Sequence, residues 1–228
     1  MDNLEKKFNL NDYQKEQFTK YYEFLILENQ KINLTAITDK QEVYIKHFYD
    51  SLLISETINL NEIKTLCDIG SGAGFPSIPL KILFPHLRVT IIEPIRKRTS
   101  FLEQLVKLLN LDNVQIITGR AEDVVIDYRE SFDLVVARAV AKLNMLLELC
   151  LPYVKIGGYF VAMKGKNFEE EFNESQKAIK TLGGLFIEYQ LFDLPMDMGM
   201  RSLIKITKQK PTKNIYPRHF SKIKKNPL

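Results

Sequence analysis

Hydrophobic positions in the first sixty residues recur at helical spacing. In NDYQKEQFTKYYEFLILENQ (11–30), Phe18, Tyr21, Tyr22, Leu25 and Ile26 fall on one face, and Asn11 or Asp12 can cap the start. A second helix is predicted over Gln41–Ser55, with Val43, Phe48, Leu52 and Leu53 facing inward. The connector between them, KINLTAITD, is rich in turn formers. From Lys64 the pattern changes. Short apolar runs, TLCDI (65–69), RVTIIE (88–93), VQIIT (114–118), FDLVVAR (132–138) and YFVAMKG (159–165), alternate with helical stretches at 76–84, 97–110, 121–127 and 142–151. That alternation predicts βαβ units and a parallel sheet covered on both faces. After a further helix at about 167–182 come LFIEYQLF (185–192) and RSLIKITK (201–208). The segment joining these two, DLPMDMGM, is too short for a crossover helix, so they should pair antiparallel.

Candidate chemistry gathers at the strand ends. In LCDIGSGAGFPSIPL (66–80) a buried strand ends at Asp68, and Gly70, Gly72 and Gly74 follow at alternate positions before a helix. Glycines there let the backbone turn sharply and approach a ligand. The spacing is G-x-G-x-G, whereas the dinucleotide fingerprint is G-x-G-x-x-G. A carboxylate beneath the loop, Asp68, can accept bonds from the loop amides or from a ligand ammonium; it would repel a pyrophosphate. Glu93, 19 residues after Gly74, ends the second strand, where an acid takes both hydroxyls of a ribose. As a strand-tip acid it is expected to be partly exposed. In TGRAEDV (118–124), Glu122 or Asp123 can accept from an adenine amine, or can simply favour a helix N-terminus. These features and the element order predict an α/β, Rossmann-like class I methyltransferase fold. Its seven-stranded sheet is mostly parallel with an antiparallel last strand and helices on both faces. The expected division is an N-terminal helical extension (1–60), an S-adenosylmethionine-binding domain (61–208) and a basic tail (209–228), one compact domain overall.

The fourth strand ends at Arg138, with no D/N-P-P-Y segment for an amine acceptor and no cysteine for a covalent adduct. Cys67 and Cys150 read as core residues. What remains is chemistry without a covalent or strong base catalyst, and guanine N7 qualifies: its lone pair is free and no proton leaves. Arg138 can hold a donor carboxylate or an RNA phosphate; otherwise it pairs with a neighbouring acid such as Asp68.

Composition adds limits. Two isolated cysteines suggest a reducing compartment without a disulfide framework, and three scattered histidines (His47, His86, His219) make a structural zinc site unlikely on spacing. The polar N-terminus lacks the apolar core of a signal peptide, and no apolar run approaches a membrane span. A cytoplasmic monomer without membrane contact is expected. The net charge of +4 hides an asymmetry. Residues 205–228 hold eight Lys or Arg and no acid, leaving 24 basic and 28 acidic groups, net −4, on the other 204. Such a tail suits a polyanion or serves as a solubilising end.

Across most of the chain the motifs are specific. KINLTAITD…YIKHFYDSL, CDIGSGAGFPSIPL, KRTSFL, GRAED, ARAVA, MKG and the closing YPR resemble the RsmG family, also called GidB, from about residue 32 to the end. The resemblance implies a bacterial 16S ribosomal RNA guanine-N7 methyltransferase that uses S-adenosylmethionine and acts in a decoding-region loop. By similarity the donor site comprises Gly70, Phe75, Ala121, Glu122 and Arg138, with Asp68, Gly72, Gly74 and Glu93 added from the loop reading. Arg138 and Lys164 are candidate positioning residues in catalysis, and Arg201, Lys213, Arg218, Lys222, Lys224 and Lys225 are candidates for RNA contact. Competing readings are a methyltransferase of another RNA site, a protein or a small molecule, a binding module with a degenerate pocket, and a NAD-dependent oxidoreductase. The basic residues, the intact loop with Glu93 and the glycine spacing argue against these last three in turn.

Overall fold

A computed structural model describes residues 2–138, 141–166 and 168–228. Ala139 and Val140 of the ARAVA motif, and Asn167 at the predicted start of the helix over 167–182, lie outside the described residues.

The chain opens with helices α1 (Asp2–Phe8) and α2 (Asp12–Ile32). Asn11 caps α2: its side chain accepts from the Gln14 amide, and the Gln14 side chain accepts from the Asn11 amide. The helix predicted over 41–55 is not continuous. It runs as α3 (Lys40–Val43), a six-residue π-helical turn (Tyr44–Tyr49), α4 (Asp50–Leu52) and α5 (Ile54–Thr57). Widened turns of this kind concentrate at functional sites. Here the Lys46 carbonyl accepts from Arg138, and the His47 carbonyl accepts from the Ser51 hydroxyl.

Strands β1 (Thr65–Ile69), β2 (Arg88–Glu93), β3 (Val114–Thr118) and β4 (Phe132–Arg138) match the apolar runs end to end. Between them lie α6 (Ser77–Leu83), α7 (Arg96–Leu108) and α8 (Ala121–Tyr128). Helix α9 (Leu143–Cys150) leads to β5 (Val154–Lys164), which begins five residues before the predicted run because Gly157 (φ +82°) sits in an irregular start. The last predicted helix is two, α10 (Phe168–Glu174) and α11 (Gln176–Thr181), divided at Ser175, whose hydroxyl bonds the Glu171 carbonyl. Strands β6 (Gly184–Asp193) and β7 (Met200–Lys208) then pair antiparallel, and a short helix α12 (Phe220–Lys225) ends the chain.

The sheet order is β3-β2-β1-β4-β5-β7-β6, parallel from β3 to β5 and antiparallel at β7. Alternate strand residues feed two cores. Leu66, Val89, Ile91, Leu134, Val136 and Val161 pack with Phe18, Tyr21, Leu25 and Phe48 of the N-terminal helices and with α6 and α7. Cys67, Ile92, Val135, Ala137 and Phe160 pack with α8, α9, α11 and Ile223 of α12. The N-terminal helices are therefore one of the two layers that bury the sheet. The terminal segment is docked as well. The buried Lys208 ammonium bonds the Leu151 carbonyl and pairs with Glu130, whose carboxylate accepts from the Thr212 amide.

Candidate active site

The carboxyl ends of β1, β2 and β4 converge on the glycine loop. Gly70, Gly72 and Gly74 have φ of +74°, +62° and +99°, conformations that favour glycine. The Gly70 amide donates to the Ile92 carbonyl at 2.8 Å. Open space surrounds the position of a Cβ on Gly72, whereas one on Gly74 would stand 2.8 Å from Ile78 and from the Tyr21 hydroxyl. Gly72 thus faces the cleft, and Gly74 lets α2 close on the loop. The Tyr21 hydroxyl donates to the Ala73 carbonyl at 2.5 Å.

Glu93, not Asp68, holds the loop: it accepts from the Gly72 amide at 3.0 Å and from Ile95 at 3.1 Å. It is 1% exposed, which corrects the expectation of partial exposure. Asp68 lies fully buried and accepts from the Ser77 amide at 3.1 Å through Oδ2, while Oδ1 has no partner. Burial raises its carboxyl to about 7, against hydrogen bonding from Ser77 and the charge of Arg138. Ser71 Oγ is also buried without a hydrogen-bond partner, as is Glu122 Oε1, which lies 3.8 Å from Arg120. Buried polar atoms are nearly always satisfied, so these unmet groups beyond the carboxyl ends of β1 and β3 mark a candidate place for a ligand. Ala121, next to Glu122, is fixed by the Tyr153 hydroxyl on its carbonyl.

Beside the loop is a cavity of about 320 Å³ lined by Ile37, His47, Asp50, Arg138, Lys164 and Arg201, among others. Arg138 pairs with Asp50 at 3.1 Å, not with Asp68. Its Nη1 also donates to the Lys46 carbonyl, Nη2 faces His47 Nδ1 at 3.3 Å, and the guanidinium lies 4.8 Å from the Phe75 ring centre. Phe75 is buried between the rings of Tyr21 and His47. His47 Nδ1 also lies 3.2 Å from the Lys46 carbonyl, and Nε2 lies 2.8 Å from the Thr35 hydroxyl. Burial, reinforced by Arg138, lowers the His47 pKa to about 3. Arg201 also pairs with Asp50, at 3.2 Å. Lys164 donates to the Ala141 carbonyl at 2.6 Å and to Glu171 at 2.7 Å, so its ammonium is spent within the wall of the cavity.

The tail residues divide. Lys213, Lys222, Lys224 and Lys225 are exposed. Arg218 differs from its expected part: its guanidinium grips the fully buried Glu148 through Nε at 2.8 Å and Nη2 at 2.6 Å, anchoring the tail to α9. Tyr21, Thr35, His47 and Asp50 were missed as site residues. Three of them stand in KINLTAITD and YIKHFYDSL, the motifs outside the generic donor loop, and that was the signal available.

Comparison with known proteins bears on this arrangement. The family described as rRNA small subunit methyltransferase G (GidB) matches residues 14–193. Curated proteins named ribosomal RNA small subunit methyltransferase G are similar over nearly the whole chain. That of Macrococcus caseolyticus is 50% identical over 98% of this chain and 94% of its own length. That of Bacillus subtilis is 49% identical over 98% and 95%. Among solved structures, an SAM-dependent O-methyltransferase from Thermotoga maritima shares the fold at 18% identity, TM-score 0.55, covering 83% of this chain and 73% of that one. M. jannaschii TYW2, crystallised with AdoMet, does so at 20% identity, TM-score 0.52, covering 64% and 68%. With a matched family spanning most of the chain and relatives half identical to it from end to end, this protein belongs to the rRNA small subunit methyltransferase G (GidB) family.

Proposed function

We propose that this chain is a cytoplasmic enzyme that transfers a methyl group from S-adenosylmethionine to N7 of one guanine in the decoding-region loop of 16S ribosomal RNA. The choice of atom rests on the family matched over residues 14–193, and a cavity whose one imidazole is a poor base agrees with it. Burial and the charge of Arg138 lower the His47 pKa to about 3, and its Nδ1 is flanked by Arg138 and the Lys46 carbonyl. Acceptors that must lose a proton need a base; N7 of guanine offers a free lone pair and does not. Positioning then supplies most of the acceleration.

The residues present fit the donor. Bound S-adenosylmethionine supplies a sulfonium methyl group. Asp68 Oδ1 would take its ammonium, Glu93 the ribose hydroxyls on lone pairs the loop amides leave free, and Glu122 Oε1 the adenine amine. Gly72 leaves room for close approach. Arg138, fixed by Asp50, Lys46 and His47, stands between loop and cavity and orients what enters from either side. The exposed tail lysines would supply the phosphate grip that the acidic body lacks. Tritium transfer from labelled donor to small-subunit RNA of an undermethylated strain, with the nucleoside identified, tests the reading. Label in 7-methylguanosine is expected; label in any other nucleoside overturns the assignment.

A further inference from the structure

We propose that Asp50 and Arg201 together select the base, reading O6 and N1–H of guanine side by side. This rests on the reading above that a base enters the cavity. Asp50 is 2% exposed, and its Oδ2 receives both Arg138 and Arg201. Its Oδ1 is buried with no hydrogen-bond partner, in a residue that lines the cavity. Leaving a carboxylate oxygen buried and unmet is costly, and two guanidiniums satisfy only its twin. Arg201 spends Nε on Asp50 and Nη1 on the Met200 carbonyl at 3.0 Å; Nη2 makes no bond among the described residues. An unmet acceptor and an unmet donor are thus joined through one ion pair.

The Watson–Crick edge of guanine is complementary to that pair. It presents an acceptor, O6, beside a ring donor, N1–H, with the exocyclic amine as a second donor. Adenine and cytosine present the reverse order, an amine beside a bare ring nitrogen, and would set donor against donor and acceptor against acceptor. Uracil shares the pattern but has no N7. O6 lies between N1 and N7 on the purine, so a base gripped by O6 and N1–H keeps N7 free for the donor side. Enzymes that act on extruded bases read this edge in the same way. A site built to bond a polar group rejects analogues that lack it strongly, because its own groups are then left unpaired.

Asp50→Asn tests the assignment. The two arginines hold the amide oxygen in the place of Oδ2, which puts an NH2 donor where the free acceptor was. Small-subunit substrates carry either guanine or 2-aminopurine at the target position; the latter keeps N7 and the exocyclic amine but has no O6 and a bare N1. For the wild type, kcat/KM should favour guanine by about 100-fold or more. In Asp50→Asn that preference should fall at least about tenfold, with affinity for S-adenosylhomocysteine within about twofold. Equal loss on both substrates, with the preference intact, would show that Asp50 only anchors the arginines and would overturn the proposal. Should the variant transfer nothing, the wild type decides: a target 1-methylguanine, which lacks N1–H, should be used about 100-fold less well, and equal use refutes the assignment. If the wild type methylates no guanine at all, the underlying reading fails instead, and the two failures are distinct.

Discussion

Burial favours the protonated form of Asp68, so the donor ammonium proposed to meet it would bind with release of a proton. The Asp68 carboxyl stands at about 7 in the fold against an ordinary 3.8, so the ionised form is disfavoured when folded. Stability contributed by this group is present below pH 4 and is lost as pH rises towards 7. Ammonium binding reverses the preference: affinity for S-adenosylhomocysteine should rise with pH up to about 7, by at most about tenfold per unit. Calorimetry at pH 6 and 8 measures this, and Asp68→Asn should flatten both profiles. Glu93→Ala should weaken the donor by about 1–3 kcal/mol and also lower the melting temperature, because the Gly72 and Ile95 amides lose their acceptor. A melting point unchanged alongside weakened binding would separate ribose contact from loop support. Arg138→Lys keeps the charge but not the fork that reaches Lys46, Asp50 and His47 together, so kcat/KM should drop at least about tenfold with the fold retained. A fully active lysine variant would remove Arg138 from the site. Asp68, the glycines and Glu93 are legible in sequence because the turn and its acids are local. Asp50 is not, because it meets Arg138 across 88 residues and no periodicity reports such a pair.

At the scale of elements, the four parallel strands β1 to β4 are fully legible, each being a bounded apolar run. The segment from Lys40 to Thr57 is less so. Its apolar spacing does bury Val43, Phe48, Leu52 and Leu53, yet the π turn that carries Lys46 and His47 to Arg138 leaves no mark on that spacing. Tertiary contact, not propensity, decides the local winding. Helix α2 reaches the donor loop through the hydroxyl and ring of Tyr21. Tyr21→Phe removes the bond to the Ala73 carbonyl while keeping the ring stacked on Phe75. It should cost about 1 kcal/mol of stability and a few-fold in donor affinity, read by thermal melting and calorimetry on the same sample. Loss of stability with donor affinity untouched would make the bond purely structural.

Over the whole molecule, the basic terminus is both anchor and rim. Arg218 and Ile223 belong to the folded body; Lys222, Lys224 and Lys225 project from it. Deleting residues 209–228 would leave Glu148 buried and unpaired, at a cost of about 3 kcal/mol, and would confuse RNA grip with unfolding. Replacing the three lysines by alanine avoids this. RNA affinity should weaken, its salt slope should fall by about 2–3 units, and donor affinity should stay unchanged. An unaltered slope would place the grip elsewhere on the rim. The tail's charge was legible in the sequence; its docking was not, since Arg218 and Glu148 are 70 residues apart. The arrangement around Arg138 has a consequence for the enzyme's own survival. A sulfonium is an alkylating agent, indifferent to whether the lone pair it meets belongs to substrate or to protein. Both thiols, Cys67 and Cys150, are sealed in the core with burial pushing them well above their usual range, and Nδ1 of His47 is flanked by Arg138 and the Lys46 carbonyl. The protein thus keeps both thiols away from its own reagent, which guards them against methylation while it waits for RNA.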